Sequence, residues 1–252
     1  MRNVSKSKVK YEGLTITSNQ DGVFKIIEYV NAKHVVVEFL DTGNKTVGRL
    51  GNVLGGQIKD RMKPSVYGVG ITGEQISVNG KRCKQRDVWI RMLDRCYSDK
   101  EENQQPTYVG CTVSENFKYF PFFKEWCENQ IGFEQDGFAL DKDILIKGNK
   151  VYSEDTCCFV PQAINNLLTN KKSARGDLPI SVSKTESGRF AAAFRKDGVT
   201  TSLGRYDTPE QAFNAYKQAK ESYIKEVANK WREQIDPKVY DALMSYKVEI
   251  TD

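Results

Sequence analysis

Along this chain the spacing of hydrophobic positions switches between two periods. From about Gly13 to Pro64, Val, Ile, Phe and Tyr recur at alternate positions in VFKIIEYV and HVVVEFL, interrupted by turn residues such as DTGN. Neighbouring side chains on a strand face opposite ways, so alternation broken by Asn and Gly predicts antiparallel strands. The stretch is too short for a sandwich and reads as a small barrel or a twisted sheet. His34, the single histidine of the chain, opens HVVVEF as a polar strand-edge residue.

The period then lengthens. In RDVWIRMLDRCY, Trp89, Met92, Leu93 and Cys96 lie three and four apart, which gathers them on one face of a helix. Arg86, Arg91 and Arg95 fall off that stripe. Arg91 and Arg95, four apart, share a flank suited either to plain solvation or to tracking phosphates. FPFFKEWCENQ predicts a second helix, with Pro121 near its first turn and its rings in a core. The glycine-rich YGVGITGEQ lacks the strand-to-helix setting of a dinucleotide loop. Leu140–Leu168 then reads as strand, loop, strand and helix.

After a linker at ARGDLP the alternation returns. LPISVSKT, GRFAAAFRKDG and VTTSLGRYD predict three short strands with turns at ESG and KDG. Phe190, Ala192 and Phe194 share one face of the middle strand; Arg189, Ala191, Ala193 and Arg195 share the other. On the next strand Leu203 faces inward, while Thr200 and Ser202 join the open face. Lys184, Lys196 and Arg205 flank it. Two arginines among tiny residues suit a sheet that lies close to a DNA groove, and they equally suit an ordinary solvated face. TPEQ starts a helix, with Thr208 as N-cap and Pro at the first helical position. Ala212, Phe213, Tyr216, Ala219, Tyr223 and Val227 supply its buried stripe. PKVYDALMSY closes the chain with a shorter helix.

These elements predict an α+β protein in three parts: a small β-barrel-like module with a basic N-terminal arm at 1–66, a ββα-containing domain at 67–172, and a three-stranded sheet packed on one helix, plus a closing helix, at 173–252. With 252 residues the chain is long enough to bury a real core. No apolar run reaches the ~18–20 residues of a membrane span, and the first residues carry charge without the apolar run of a secretory signal. A net charge of +5 permits a polyanionic partner without requiring one. The six cysteines form no CxxC pair, so reduced thiols in a cytosol are expected. Cys83, Cys96, Cys111 and Cys127 match no zinc-ligand spacing.

Two resemblances sharpen this reading. GRFAAAFR, a turn, and SLGRYDTPEQAFNAYKQA resemble the Apetala-type (ethylene-response-factor) DNA-binding domain over about Leu178–Lys220. The resemblance implies three antiparallel strands on one helix, with the sheet in the major groove of double-stranded DNA. It implies DNA contacts at Ser183, Thr185, Arg189, Arg195, Thr200 and Ser202. The middle segment resembles a phage and mobile-element group related to HNH endonucleases. The matching residues are Trp89, Met92, Arg95, Cys96 and Tyr97, then Leu140, Asp141 and Lys142, then Tyr152, Ser153, Cys158 and Phe159.

An HNH-type finger uses a histidine at the end of its first strand as general base and a divalent metal on the leaving oxygen. Here Lys142 stands at the base position, flanked by Asp141 and Asp143. Asn165 and Asn166 stand where the helix supplies a metal ligand. A lysine needs its pKa lowered by ~3 units to act as a base near neutrality, and the flanking aspartates oppose that shift. The expectation is therefore a degenerate nuclease finger in a sequence-preferring duplex-binding protein. It would need no cofactor, act in the cytoplasm of a bacterial host, and steer a recombinase or replication complex. Arg86, Arg91, Arg95, Lys142 and Lys147 would grip the backbone. The alternatives are an endonuclease using Mg²⁺ at Asp141 and Asp143, and a protein-interaction adaptor.

Overall fold

A computed structural model describes residues 10–73, 77–78, 81–100, 105–168 and 178–251. The expected basic arm and most of the expected linker at ARGDLP lie outside them. The chain divides into two compact units, Met1–Glu125 and Trp126–Asp252. The expected middle segment contributes to both. The fold is mixed α+β, and among the described residues no helix is long and apolar enough to cross a membrane.

The first unit opens with an antiparallel sheet of β1 (Thr15–Thr17), β2 (Val23–Asn31), β3 (His34–Phe39) and β4 (Lys45–Gly48), in that order. It is an open meander whose edge strands β1 and β4 are not paired with each other. On β3 the buried residues Val35, Val37 and Phe39 keep the two-residue period. On β2 they do not: Phe24 and Ile26 are followed by Tyr29, because the ladder slips between Ile26 and Glu28. A bulge inserts one residue and so reverses which side chains face the core. Asp60 is buried beside the β3–β4 turn, where its carboxylate accepts from Thr42 Oγ1 (2.6 Å), Asn44 Nδ2 (2.9 Å) and the Met62 N–H (3.0 Å). His34 is exposed at the start of β3.

After the short helix α1 (Leu50–Leu54), α2 spans Lys84–Tyr97 and buries the expected stripe of Trp89, Met92, Leu93 and Cys96. Trp89 satisfies its indole N–H on the Phe117 carbonyl at 2.7 Å and lies 5.3 Å from the Phe120 ring. Phe117 is on α3 (Glu115–Lys118), whose N-cap Ser114 accepts the Phe117 N–H. Phe120 opens α4 (Phe120–Glu128), the second expected helix, inside which the chain passes to the second unit.

In the second unit β5 (Phe138–Asp141) pairs antiparallel with β6 (Cys158–Pro161), and α5 (Gln162–Leu168) follows directly, which is the expected ββα arrangement. All four residues of β6 are buried, because both of its faces are covered. Phe159 meets Phe133 and Trp126 at 5.2 and 5.8 Å between ring centroids. Cys158 and Val160 enter a core shared with Ile164, Phe194, Phe213, Tyr216, Ile224 and Val239.

That shared core joins the finger to the C-terminal elements. These are β7 (Val182–Lys184), β8 (Phe190–Lys196) and β9 (Val199–Tyr206), an antiparallel sheet with β8 in the middle, then α6 (Pro209–Trp231) and α7 (Pro237–Ser245). Thr208 caps α6 by accepting the Gln211 N–H at 3.2 Å, as TPEQ predicts. The buried stripe of α6 departs from expectation in its second half. Ile224 and Ala228 are fully buried, while Ala219, Tyr223 and Val227 are partly so. The helix stays against the sheet from Phe213 to Glu226 and also meets the finger at Lys220 and packs on α7, so its buried face widens. Lys220, on that inner side, donates to the Leu167 carbonyl at the end of α5 (2.5 Å), and burial lowers its pKa.

Candidate nucleic-acid interface

The sheet β7–β8–β9 has one face on α6 and one face open. Ala192 and Phe194 point to the helix and are buried, so Arg189, Ala191, Ala193 and Arg195 take the other side. Residues opposite each other across an antiparallel pair share a face. The register sets Ser183 beside Ala191, Ser202 beside Ala193, and Thr200 beside Arg195.

Arg205 was expected at the flank, and it lies on this face too, opposite Ala191. The reason is a bulge. The ladder slips at Ala192/Ala193, so Leu203 is the extra residue and turns into the core. Beside it Gly204 adopts φ +121°, a conformation that L side chains rarely take. Beyond the bulge odd-numbered residues face outward, and a strict two-residue period misplaces Arg205.

The hairpin joining β8 to β9 turns through Asp197 (φ +50°) and Gly198 (φ +84°), the two-residue turn that KDG predicts. Arg195 Nε donates to the Gly198 carbonyl across this turn at 3.2 Å. At the other end of β8, Arg189 Nε donates to Asp207 Oδ1 at 3.0 Å. Thr185 closes the preceding turn, donating from its N–H (2.8 Å) and Oγ1 (2.9 Å) to the Arg189 carbonyl. Among the described residues the side chains of Arg205 and Lys184 make no hydrogen bond or ion pair, and both residues are exposed.

Two expected flanking residues behave differently. Lys184 lies opposite Phe190, on the helix side of the edge strand. Lys196 is also on the helix side, where both Glu226 oxygens accept from it at 2.7 and 2.8 Å and the Tyr223 ring lies 5.1 Å away. Tyr223 in turn donates to Asp197 at 2.7 Å, which fastens the hairpin tip to α6. Asp207 and Glu226 escaped the sequence reading. The carboxylate just before a helix N-cap in YDTPEQ was the available signal for Asp207; Glu226, thirty residues from Lys196, offered none.

The finger arranges its charges inwardly. Asp141 ends β5 by accepting the N–H groups of Asp143 and Ile144 through one oxygen, each at 2.9 Å. Burial, with Asp143 beside it, pushes its carboxyl up to about 6 against the pull of those two donors. Lys142 is only 7% exposed; its ammonium lies 3.2 Å from Asp143 and 5.9 Å from the Tyr152 ring. Asn149 binds the loop together, donating to the carbonyls of Lys142 and Val151 at 2.7 Å and accepting the Val151 N–H at 3.1 Å.

On α5, Asn166 is exposed and accepts from Gln162 at 2.8 Å, while Asn165 is half-buried. Among the described residues no three His, Cys, Asp or Glu side chains converge as a cation site. Burial raises the pKa of Cys157 to about 12 and also raises that of Cys158, which keeps both as thiols. Lys147 donates to the Lys247 carbonyl at 2.9 Å and lies 5.1 Å from the Tyr246 ring, so it braces the C-terminal segment.

No protein-family model matches this chain, and no curated protein or solved structure matches it.

The remaining expected residues belong to the first unit. On α2, Arg91 is exposed and Arg95 lies 5.4 Å from the Tyr108 ring. Arg86 is half-buried, with Nη1 enclosed and without a hydrogen-bond acceptor among the described residues. The expected residues thus separate into an open arginine face, an inward-bonded finger and a helix flank.

Proposed function

We propose that this protein binds double-stranded DNA through the open face of β7–β9, in the manner of an Apetala-type reader. The observation that carries the reading is the make-up of that face. Arg189 and Arg195 stand at its two ends and Arg205 at its edge, with Ser183, Ala191, Ala193, Thr200 and Ser202 between them. Small side chains let the strand backbone approach a groove floor, and guanidinium groups at the rim reach base edges or phosphates. Arg195 and Arg205 are on β8 and β9 and Arg189 immediately precedes β8, and the axes of the two strands lie ~5 Å apart. A two-stranded ribbon of that width enters a major groove ~12 Å wide.

In this reading the finger is a brace and not a cutting site. Its aspartates and lysine bond to their own loop, and its strands and helix share the core that backs the reading sheet. The protein would act on phage or mobile-element DNA in the cytoplasm, masking or bending a site or steering a recombinase or replication complex. No cofactor is required.

Titration of a labelled random-sequence duplex with the intact protein at ~50 and ~200 mM salt tests the reading. The expected result is binding at low salt that weakens about ten- to hundredfold at the higher salt, as a few released counterions require. Absence of binding at low salt would leave the adaptor reading instead. Nicking of supercoiled plasmid with Mg²⁺ or Mn²⁺ that disappears in Asp141→Ala would make the finger catalytic.

A further inference from the structure

The three arginines of the open face are not equivalent. Arg189 and Arg195 each use Nε on an acceptor within the protein, whereas Arg205 has none among the described residues. A guanidinium is planar, so fixing its Nε–H sets the plane and leaves N–H groups on both Nη nitrogens directed away from the anchor. Building on the DNA-binding reading above, we propose that Asp207 is the positioning residue that makes Arg189 a guanine reader.

Asp207 is itself held in place. It immediately precedes the N-cap of the 23-residue helix α6, and its N–H donates to Gln211 Oε1 at 3.3 Å. On the other side, the Arg189 carbonyl takes two hydrogen bonds from Thr185, so the backbone carrying the guanidinium is fixed as well. With side chains 50% and 78% exposed, the Arg189–Asp207 pair contributes little to stability. Its effect is on direction.

The end of the guanidinium opposite Nε presents two donors side by side. Guanine offers two acceptors, O6 and N7, on its major-groove edge, while adenine offers one acceptor and one donor. A fork of two donors therefore fits guanine and mismatches adenine. The carboxylate also disfavours a phosphate beside Arg189, which turns that side chain toward the groove floor. Arg205, without such a carboxylate, is left for phosphate. From Arg189 to Arg195 the strand advances about 20 Å, more than half a turn of B-DNA, so the two anchored arginines address separate positions of one site.

The test is a binding selection from a random duplex library with the full-length protein and its Arg189→Ala, Asp207→Ala, Asp207→Asn and Arg205→Ala variants. The wild type is expected to enrich guanine at a position where Arg189→Ala loses the preference by about tenfold or more. Asp207→Ala should lose preference at that same position with an unchanged melting temperature. Asp207→Asn, which keeps an acceptor oxygen, should retain more of it, and Arg205→Ala should retain it fully while binding all sequences more weakly. If Asp207→Ala binds every sequence more tightly and keeps the guanine preference, the carboxylate merely repels DNA and the inference is overturned. A guanine preference insensitive to Arg189→Ala overturns it too. A wild type that selects nothing and binds no duplex at low salt removes the DNA-binding reading itself.

Discussion

Asp141, Lys142 and Asp143 in the finger and Arg189, Arg195 and Arg205 of the sheet region are two groups of charge within one compact unit, and they differ in where their bonds go. The finger's charges bond to their own loop: Asp141 to two backbone N–H groups, Lys142 to Asp143, with Lys142 almost wholly enclosed. The sheet's arginines are exposed, anchored at most through Nε, and surrounded by Ala, Ser and Thr. A charged cluster becomes a recognition surface when its donors remain open and its neighbours are small. The same cluster becomes a loop fastener when its partners lie within the turn.

The largest effect that would break this comparison is on the sheet. Replacing Arg189, Arg195 and Arg205 together by Ala should lower duplex affinity at least a hundredfold, since each contact is worth about 1–3 kcal/mol, while thermal unfolding stays unchanged. An affinity loss below tenfold would move the interface elsewhere.

A smaller effect separates the finger. The folded pKa of Asp141, about 6, lies above its ordinary value of 3.8. The folded state therefore holds this proton more tightly, and the group favours folding as pH falls from above 6 toward 4. Above that window its buried charge opposes folding. Asp141→Asn keeps an acceptor for the two N–H groups and removes the charge. It should raise stability at pH 8 by on the order of 1–2 kcal/mol, with the gain shrinking at pH 5 and vanishing near pH 4. Denaturant unfolding at these pH values measures it. A loss of stability at pH 8 would show that the carboxylate charge is needed in the fold.

The smallest effect sharpens the boundary of the face. Lys196 is sequence-adjacent to Arg195 but held by Glu226 on the helix side. Lys196→Ala should change duplex affinity by less than about twofold, an amount near the RT scale, where Arg195→Ala changes it severalfold or more.

The parts of the fold that local chemistry dictates were legible from the chain. TPEQ determined the start of α6, KDG the β8–β9 turn, and the three-and-four spacing of Trp89, Met92, Leu93 and Cys96 the buried face of α2. The open face carrying Arg189 and Arg195 followed from period two. What escaped depends on events that spacing does not encode. The bulges beside Ile26 and at Ala193 reverse the parity of everything beyond them, which hid the outward position of Arg205. The pairings of Lys196 with Glu226 and of Lys147 with the Lys247 carbonyl span long stretches of chain. The enclosure of Lys142 depends on how its loop folds back through Asn149. The finger's join to the C-terminal sheet depends on a core assembled from Ile144, Val160 and Ile164 with Phe194, Tyr216 and Ile224. Each of those side chains taken alone is only an apolar residue.

Amide hydrogen exchange of the intact protein with and without a saturating duplex at low salt addresses the docking of the sheet most directly. The account predicts slowed exchange across Phe190–Tyr206 and no change in Phe138–Pro161. Protection confined to the finger, or none on the sheet when the duplex is bound, would contradict it.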